Sequence, residues 1–305
     1  MSRNHFDLLM LGHFAVDRIV VDGASETVSG GGVYYGGMAA RRLGATVAVA
    51  TRLREQDYDR LAEMRREGIT VYPAPAAETS GIANYYDSGD MERRTCVPIG
   101  FAGAIQPDDL PIDWAHAPGA ADDSGITARV YVIAPIMAGE VSLALLARLA
   151  QRGPVAMDVQ GFVRVRVGNE LLFRVSPQLD EALQHVTYLK VDRAEAEALT
   201  GETDLARAGR TLAQRGPREI VLTESAGVTV LAEGQLHRAP FRPRSLAGRT
   251  GRGDTCFATY LTMRLSRSPA EACRWAGAVT TMKQETPGPW RGSPAGVERY
   301  LAEMA

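Results

Sequence analysis

Asp7-Leu8-Leu9-Met10-Leu11-Gly12 is the first apolar run of the chain, and a glycine ends it. A run of this kind, without polar alternation, is the pattern of a strand covered on both faces. Beyond it, residues 33–43 mix small and apolar side chains and close in Arg41-Arg42-Leu43-Gly44, as a helix with a glycine stop does. Residues 45–50 then repeat the apolar run. The same alternation returns downstream, with strands expected at 130–136, 155–159 and 186–191 and helices at 139–152 and 176–185. Helical segments at 193–199 and 204–214 and strands at 219–223 and 228–232 continue it. Strands alternating with helices of this length predict an α/β fold, a mostly parallel central sheet with helices on both faces.

One region breaks the rhythm. Residues 79–105 carry short alternating runs such as Ile82-Ala83-Asn84-Tyr85-Tyr86, interrupted by the polar Asp87-Ser88-Gly89-Asp90, which is a hairpin signal. Together with residues 15–21 this segment is expected to form a small antiparallel sheet outside the parallel one, a candidate lid and a candidate surface for pairing with a second copy. Residues 107–125, rich in Pro, Asp and Ala, read as a connecting loop. The whole chain, 1–305, is thus expected to be one domain bearing a small β lid.

Composition narrows the function. The 305 residues include 34 basic and 36 acidic side chains, a formal net charge of −2, which gives no electrostatic footprint for nucleic acid or an anionic membrane. Of the basic residues only Lys190 and Lys283 are lysines, and neither follows a glycine, so a Walker-type phosphate loop is excluded. Cys96, Cys256 and Cys273 lie far apart and show neither disulfide nor zinc spacing. With no secretory pattern at the N-terminus and no run long enough to span a bilayer, the expectation is a cytoplasmic protein acting on small molecules.

The chemistry concentrates in Arg249-Thr250-Gly251-Arg252-Gly253-Asp254-Thr255-Cys256-Phe257. Glycines let the backbone turn sharply and approach a ligand, and a helix start behind them aims N–H groups and partial positive charge outward. Asp254 at the rim of such an anion hole is placed to take a proton from a hydroxyl. Alone, Gly-x-Gly-Asp more often marks only a capped helix start. At the other end, Gly12-His13-Phe14-Ala15-Val16-Asp17 sets an acid just beyond the first strand, and Gly30-Gly31-Gly32-Val33-Tyr34-Tyr35 reads as a flexible loop feeding the first helix.

With these segments in order, the sequence resembles the ribokinase-like, or PfkB-type, family of carbohydrate and nucleoside kinases. That family carries a Gly-Gly signature closing in Arg-Leu-Gly, an Asn-x-x-Glu segment, and an Asp-Thr-x-Gly-Ala-Gly-Asp signature, and the resemblance spans nearly the whole chain. It implies transfer of the ATP γ-phosphoryl group to a hydroxyl of a small sugar, polyol or nucleoside, with Mg²⁺. By position, Asp254 matches the catalytic base, and Gly251, Arg252 and Gly253 the anion hole. Asp17, Gly30 and Gly31 match the substrate-binding acid and glycine pair. Asp192 and Glu195 match the segment that organises Mg²⁺ through water, and Thr223, Ser225 and Gly227 the turn that holds the nucleotide.

Departures from the pattern bear on the substrate. Gly248-Arg249 replaces Asp-Thr, and Arg252 replaces the central Ala, which places guanidinium groups beside the anion hole. Tyr35 stands where many members carry a sugar-binding Asn, and Asp192 replaces Asn. Met157-Asp158-Val159-Gln160-Gly161-Phe162-Val163-Arg164 ends a buried strand where ligand crevices form, with Asp158 and Arg164 as candidate substrate contacts or as an ion pair. Together with Gly-Gly-x-x-Tyr-Tyr, it resembles the inositol-kinase-like branch. The segment 283–290 is expected to border the nucleotide base, and His13 to pack in the interior. Arg93 and Arg94 read as solubilising lid residues. Two other readings remain open: a nucleoside kinase of the same family, and a non-catalytic ligand-binding relative. A dinucleotide-binding oxidoreductase is disfavoured, because no glycine-rich helix start follows the first strand.

Overall fold

The computed structural model describes residues 5–87, 89–117 and 125–304, with backbone alone at 90–94, so the lid arginines Arg93 and Arg94 and part of the loop at 107–125 lie outside the described residues. β1 (His5–Leu11) sits inside a nine-stranded sheet. Its side chains alternate, Leu8 and Met10 entering one buried layer and Leu9 and Leu11 the other, which is why the run had to be apolar throughout. In spatial order the sheet continues on one side through β4 (Val47–Leu53) and β5 (Thr70–Pro75). On the other side lie β8 (Thr127–Ile133), β9 (Val155–Asp158), β12 (Tyr188–Asp192) and β13 (Glu219–Thr223), all parallel. β14 (Gly227–Ala232) and β15 (Gln235–Pro240) finish the sheet as antiparallel strands, because only a tight turn and no helix separates β13 from β14.

One face is covered by α1 (Gly32–Arg42), α8 (Arg252–Arg264), α9 (Pro269–Gln284) and α10 (Pro294–Glu303), with α2 (Ala62–Arg66) beside them. The other is covered by α3 (Leu143–Ala150), α5 (Leu179–Leu183), α6 (Arg193–Thr200) and α7 (Leu205–Ala213). α8 and α9 are buried nearly all round, the signature of central helices rather than of an amphipathic cover. Strand order reverses between β1 and β8, and the carboxyl ends around such a switch point are where an open α/β sheet makes a crevice.

The lid is a separate sheet ordered β3 (Ala24–Gly30), β2 (Ala15–Val21), β6 (Gly81–Asp87), β7 (Asp90–Gly100). The hairpin expected at 79–105 is β6 and β7, while β2 pairs with β6 in parallel, so the lid is mixed. Residues 30–35 are not a loop: Gly30 ends β3, and α1 begins at Gly32. A short helix α4 (Gln160–Val163) leads into a further hairpin, β10 (Arg164–Val167) and β11 (Glu170–Phe173). Among the described residues no helix is long and apolar enough to cross a membrane.

Candidate active site

The turn before α8 is built around Gly251, the N-cap, at φ 81° and ψ 11°. A Cβ there would lie 2.2 Å from Cγ of Tyr35, so glycine is required both by the left-handed backbone and by the ring packed on it. The helix starts at Arg252, which makes Asp254 a member of its first turn instead of a residue preceding it. The Arg252 amide donates to the Arg249 carbonyl at 3.2 Å, closing the turn that presents Gly253 at the positive end of the helix. Across the gap stands the start of α1, where a Cβ on Gly32 would lie 3.0 Å from Asp254 Oδ1. Two helix N-termini therefore converge on one carboxylate.

Asp17, on β2, closes the lid side. It is 7% exposed, its Oδ1 accepts from the Ile82 amide at 2.8 Å, and a Cβ on Gly30 would collide with Oδ2 at 2.2 Å. Gly30 thus makes room for a carboxylate, and Gly31, at φ 93°, caps α1 on the cleft wall. Asn84, buried on β6, adds an amide to the same wall. Tyr86 of the lid reaches the far side, with its hydroxyl 3.5 Å from Thr250 Oγ1.

The sheet side carries a buried charge cluster. In-register pairing of β9 with β12 sets Asp158 opposite Lys190, and Lys190 Nζ lies 2.9 Å from Asp158 Oδ2 and 4.0 Å from Glu195 Oε2. Burial works against the Lys190 charge, yet Asp158, Glu195 and Asp192 outweigh it and hold the ammonium above the ordinary lysine range. Burial likewise pushes the Glu195 carboxyl up to about 7, against the pull of Lys190. Asp192 and Glu195 form a reciprocal capping box on α6, with both backbone contacts at 2.8 Å.

One cleft joins these groups. Asp17, Gly31, Tyr35, Asp158, Arg164, Asp192, Thr223, Gly251, Arg252, Gly253 and Asp254 all line it, as do Arg249, Lys190, Asn84 and Gln160. A carboxylate beside helix N-termini, with arginines and a lysine on the same cleft wall and Asp17 and Asn84 on the lid side, is suited to moving a phosphoryl group onto an alcohol.

The profile of the pfkB family carbohydrate kinases matches residues 7–294. The chain belongs to this family. A pyrophosphate-dependent kinase of the ribokinase family, solved with a pyrophosphate analogue and myo-inositol, shares 32% identity at a TM-score of 0.84, over 97% of this chain and 99% of that one. The cytidine kinase of Thermococcus kodakarensis is 23% identical over 276 residues, 88% of this chain and 91% of the relative. A ribokinase of Arabidopsis thaliana, solved with ribose and ATP, shares the fold at a TM-score of 0.73 and 18% identity, over 97% and 98% of the two chains.

For a PfkB-family kinase, four expected site residues stand apart from the cleft wall, the first being Gly30, which lies against the Asp17 carboxylate. Ser225 is exposed on the turn between β13 and β14, Gly227 packs its α-carbon against β15, and Glu195 is buried behind Asp192. Asp158 is ion-paired, but to Lys190 and not to Arg164; its Oδ1 takes the Gln160 amide at 3.0 Å. His13 is fully buried, bonded to Ser80 Oγ at 2.7 Å and the Gly103 carbonyl at 2.8 Å, a packing role. Trp290 is buried among helix side chains, and Lys283 turns inward to the Gly248 carbonyl. Sequence reasoning missed Glu140, whose buried carboxylate accepts from the amides of His13, Ile136 and Met137 and so shapes the crevice floor. It also gave no role to Asn84, Lys190 and Gln160.

Proposed function

We propose that this kinase transfers a phosphoryl group from inorganic pyrophosphate to a ring hydroxyl of an inositol-like polyol, with Asp254 as the base. The observation that carries it is the placement of Asp254 Oδ1 beside Gly32, between the starts of α1 and α8 and in the cleft that Asp17 closes. Solved relatives sharing 30–32% identity support donor and acceptor: pyrophosphate-dependent kinases, one bound to myo-inositol, and a myo-inositol-1 kinase converted to a myo-inositol-3 kinase by two substitutions.

Asp17 and Asn84 hold ring hydroxyls and orient one toward Asp254. Asp254 accepts that hydroxyl's proton as the oxygen–phosphorus bond forms and the bridging bond of pyrophosphate breaks, releasing phosphate. The first-turn amides at Gly253 and the guanidinium groups of Arg249 and Arg252 balance charge on the equatorial oxygens and on the leaving group. Arginine walls beside the anion hole suit a compact, highly charged donor. Tyr35 and the lid keep water from the reacting centre.

The family implies Mg²⁺. Among the described residues no group of three metal-binding side chains is close enough to hold an ion by protein alone. One carboxylate on the cleft fits, since magnesium keeps several waters and leans on substrate phosphates. Asp192 lines the cleft and would hold it there, whereas Glu195 is buried off the cleft wall. Once bound, the ion would neutralise donor phosphate charge.

A nucleoside kinase using ATP is the second reading, favoured by the cytidine kinase similarity and by Thr223 on the cleft wall. ³¹P NMR of reactions pairing pyrophosphate or ATP with myo-inositol, ribose or cytidine separates the two. A pyrophosphate-dependent inositol monophosphate is the expected product. Nucleotide formation from ATP and cytidine alone would replace the first reading with the second, and no phosphoester in any pairing would refute both.

A further inference from the structure

Arginine supplies all but two of this chain's 34 basic residues. The two lysines are also buried, Lys190 at 5% and Lys283 at 1% exposure, and both end against the same loop. Lys190 Nζ and Cε lie 3.4 and 3.3 Å from where a Cβ on Gly253 would stand, so the glycine leaves space for the ammonium beside the start of α8. Lys283 Nζ donates to the Gly248 carbonyl at 2.5 Å and lies 5.2 Å from the centre of the Tyr35 ring, which itself packs on Gly251. Both ends of the 248–253 loop thus rest on a lysine.

Around Lys190 the charges are otherwise negative: Asp158 from β9, Asp192 and Glu195 from the start of α6. Asp158 and Asp192 on the cleft wall would repel a phosphate at the Gly253 amide, and the Lys190 ammonium, on the same wall and against Gly253, offsets them from the sheet side. A compact ammonium suits both positions. A guanidinium is a planar fork that needs several acceptors in its plane, and it would crowd Gly253 or Tyr35.

Resting on the pyrophosphate reading above, we propose that the two lysines act as a paired cation device at the anion hole. Lys190 contacts the donor phosphate from the sheet side, and Lys283 is a positioning residue that holds the loop from behind. The charged and aromatic groups facing Lys283 are Asp254 from α8 and Tyr35 from α1; burial pulls its ammonium down to about 8, with Asp254 opposing.

Calorimetric titration with pyrophosphate, without acceptor, tests Lys190 directly. Lys190→Met should weaken pyrophosphate binding at least tenfold and lower kcat by about 10²–10³-fold, with the polyol KM little changed. Because that variant leaves Asp158 uncompensated, Lys190→Met/Asp158→Asn is measured beside it and should show the same loss. Lys190→Arg should not rescue. Wild-type kcat should decline as pH rises through about 8, and Lys283→Met should be slower and lack that decline. Unchanged pyrophosphate affinity in the folded double variant overturns the Lys190 role. An unchanged pH profile in Lys283→Met overturns the Lys283 role. Lysine-dependent pyrophosphate binding without transfer to any polyol would refute the reaction and leave the lysine assignment standing.

Discussion

Replacing Gly251 by alanine probes the turn before α8 at the point where backbone and packing demands coincide. A left-handed residue with a side chain costs about 1–2 kcal/mol. The new methyl would stand 2.2, 2.4 and 2.6 Å from Cγ, Cδ1 and Cδ2 of Tyr35. That ring is 4% exposed, with Tyr34 at 5.3 Å between centroids and Lys283 Nζ at 5.2 Å, so it has nowhere to withdraw. Overpacking of this kind costs about 1–3 kcal/mol, for a total of about 2–5 kcal/mol. With unfolding entropy of about 2.1 cal/mol/K per residue, a chain of this length loses about 1.6 °C per kcal/mol, hence about 3–8 °C in Tm. Calorimetry of Gly251→Ala, Tyr35→Ala and the double variant isolates the steric share, because the ring clash vanishes in the double variant while the backbone share persists. Coupling of about 1–3 kcal/mol is expected. A Gly251→Ala protein melting with the wild type, or additivity across the cycle, would refute the packing of Tyr35 on Gly251.

Other perturbations have equally definite outcomes. Asp254→Asn should keep the wild-type melting temperature while kcat falls about 10²–10⁴-fold in steady-state assays, the usual worth of one general base. Asp192→Ala removes the side-chain half of the α6 capping box, with Asp192 Oδ1 no longer accepting from the Glu195 amide, and should cost about 0.5–2 kcal/mol in urea unfolding. Lys283 titrates at about 8 in the fold against 10.5 unfolded, so between those values the unfolded chain binds more protons. Stability should therefore rise with pH from about 8 to 10.5 relative to Lys283→Met, opposite to the trend in activity. A difference between the two proteins that stays flat across that window would contradict the burial of a protonated amine.

Legibility followed the range of the interactions. β1, β4, β8, β9, β12 and β13 were readable because each strand announces itself locally by its apolar run, and β6 with β7 by the polar turn between them. β5 was hidden by Pro73 and Pro75, which an edge strand tolerates and a central one does not. β3 was hidden by its polar residues, since it lies at the rim of the lid and much of it is exposed. In the site, Asp17, Gly31 and Gly251–Asp254 were legible from motifs at element ends. Lys190 was not, because its partner Asp158 comes from a neighbouring strand and only the register of β9 against β12 brings them together. Asp192 and Glu195 show that one local pattern serves two ends: the helix cap that the spacing encodes is formed, and it leaves Asp192 facing the cleft while Glu195 is turned inward.

The most direct measurement is a crystal structure of the kinase with a non-hydrolysable pyrophosphate analogue and myo-inositol. A terminal phosphonate bonded to the first-turn amides of α8, with one inositol hydroxyl about 3 Å from the Asp254 carboxylate, is the arrangement predicted here. An analogue seated away from Gly253, or an inositol whose nearest hydroxyl is beyond the reach of Asp254, would contradict the assignment of that carboxylate as the base.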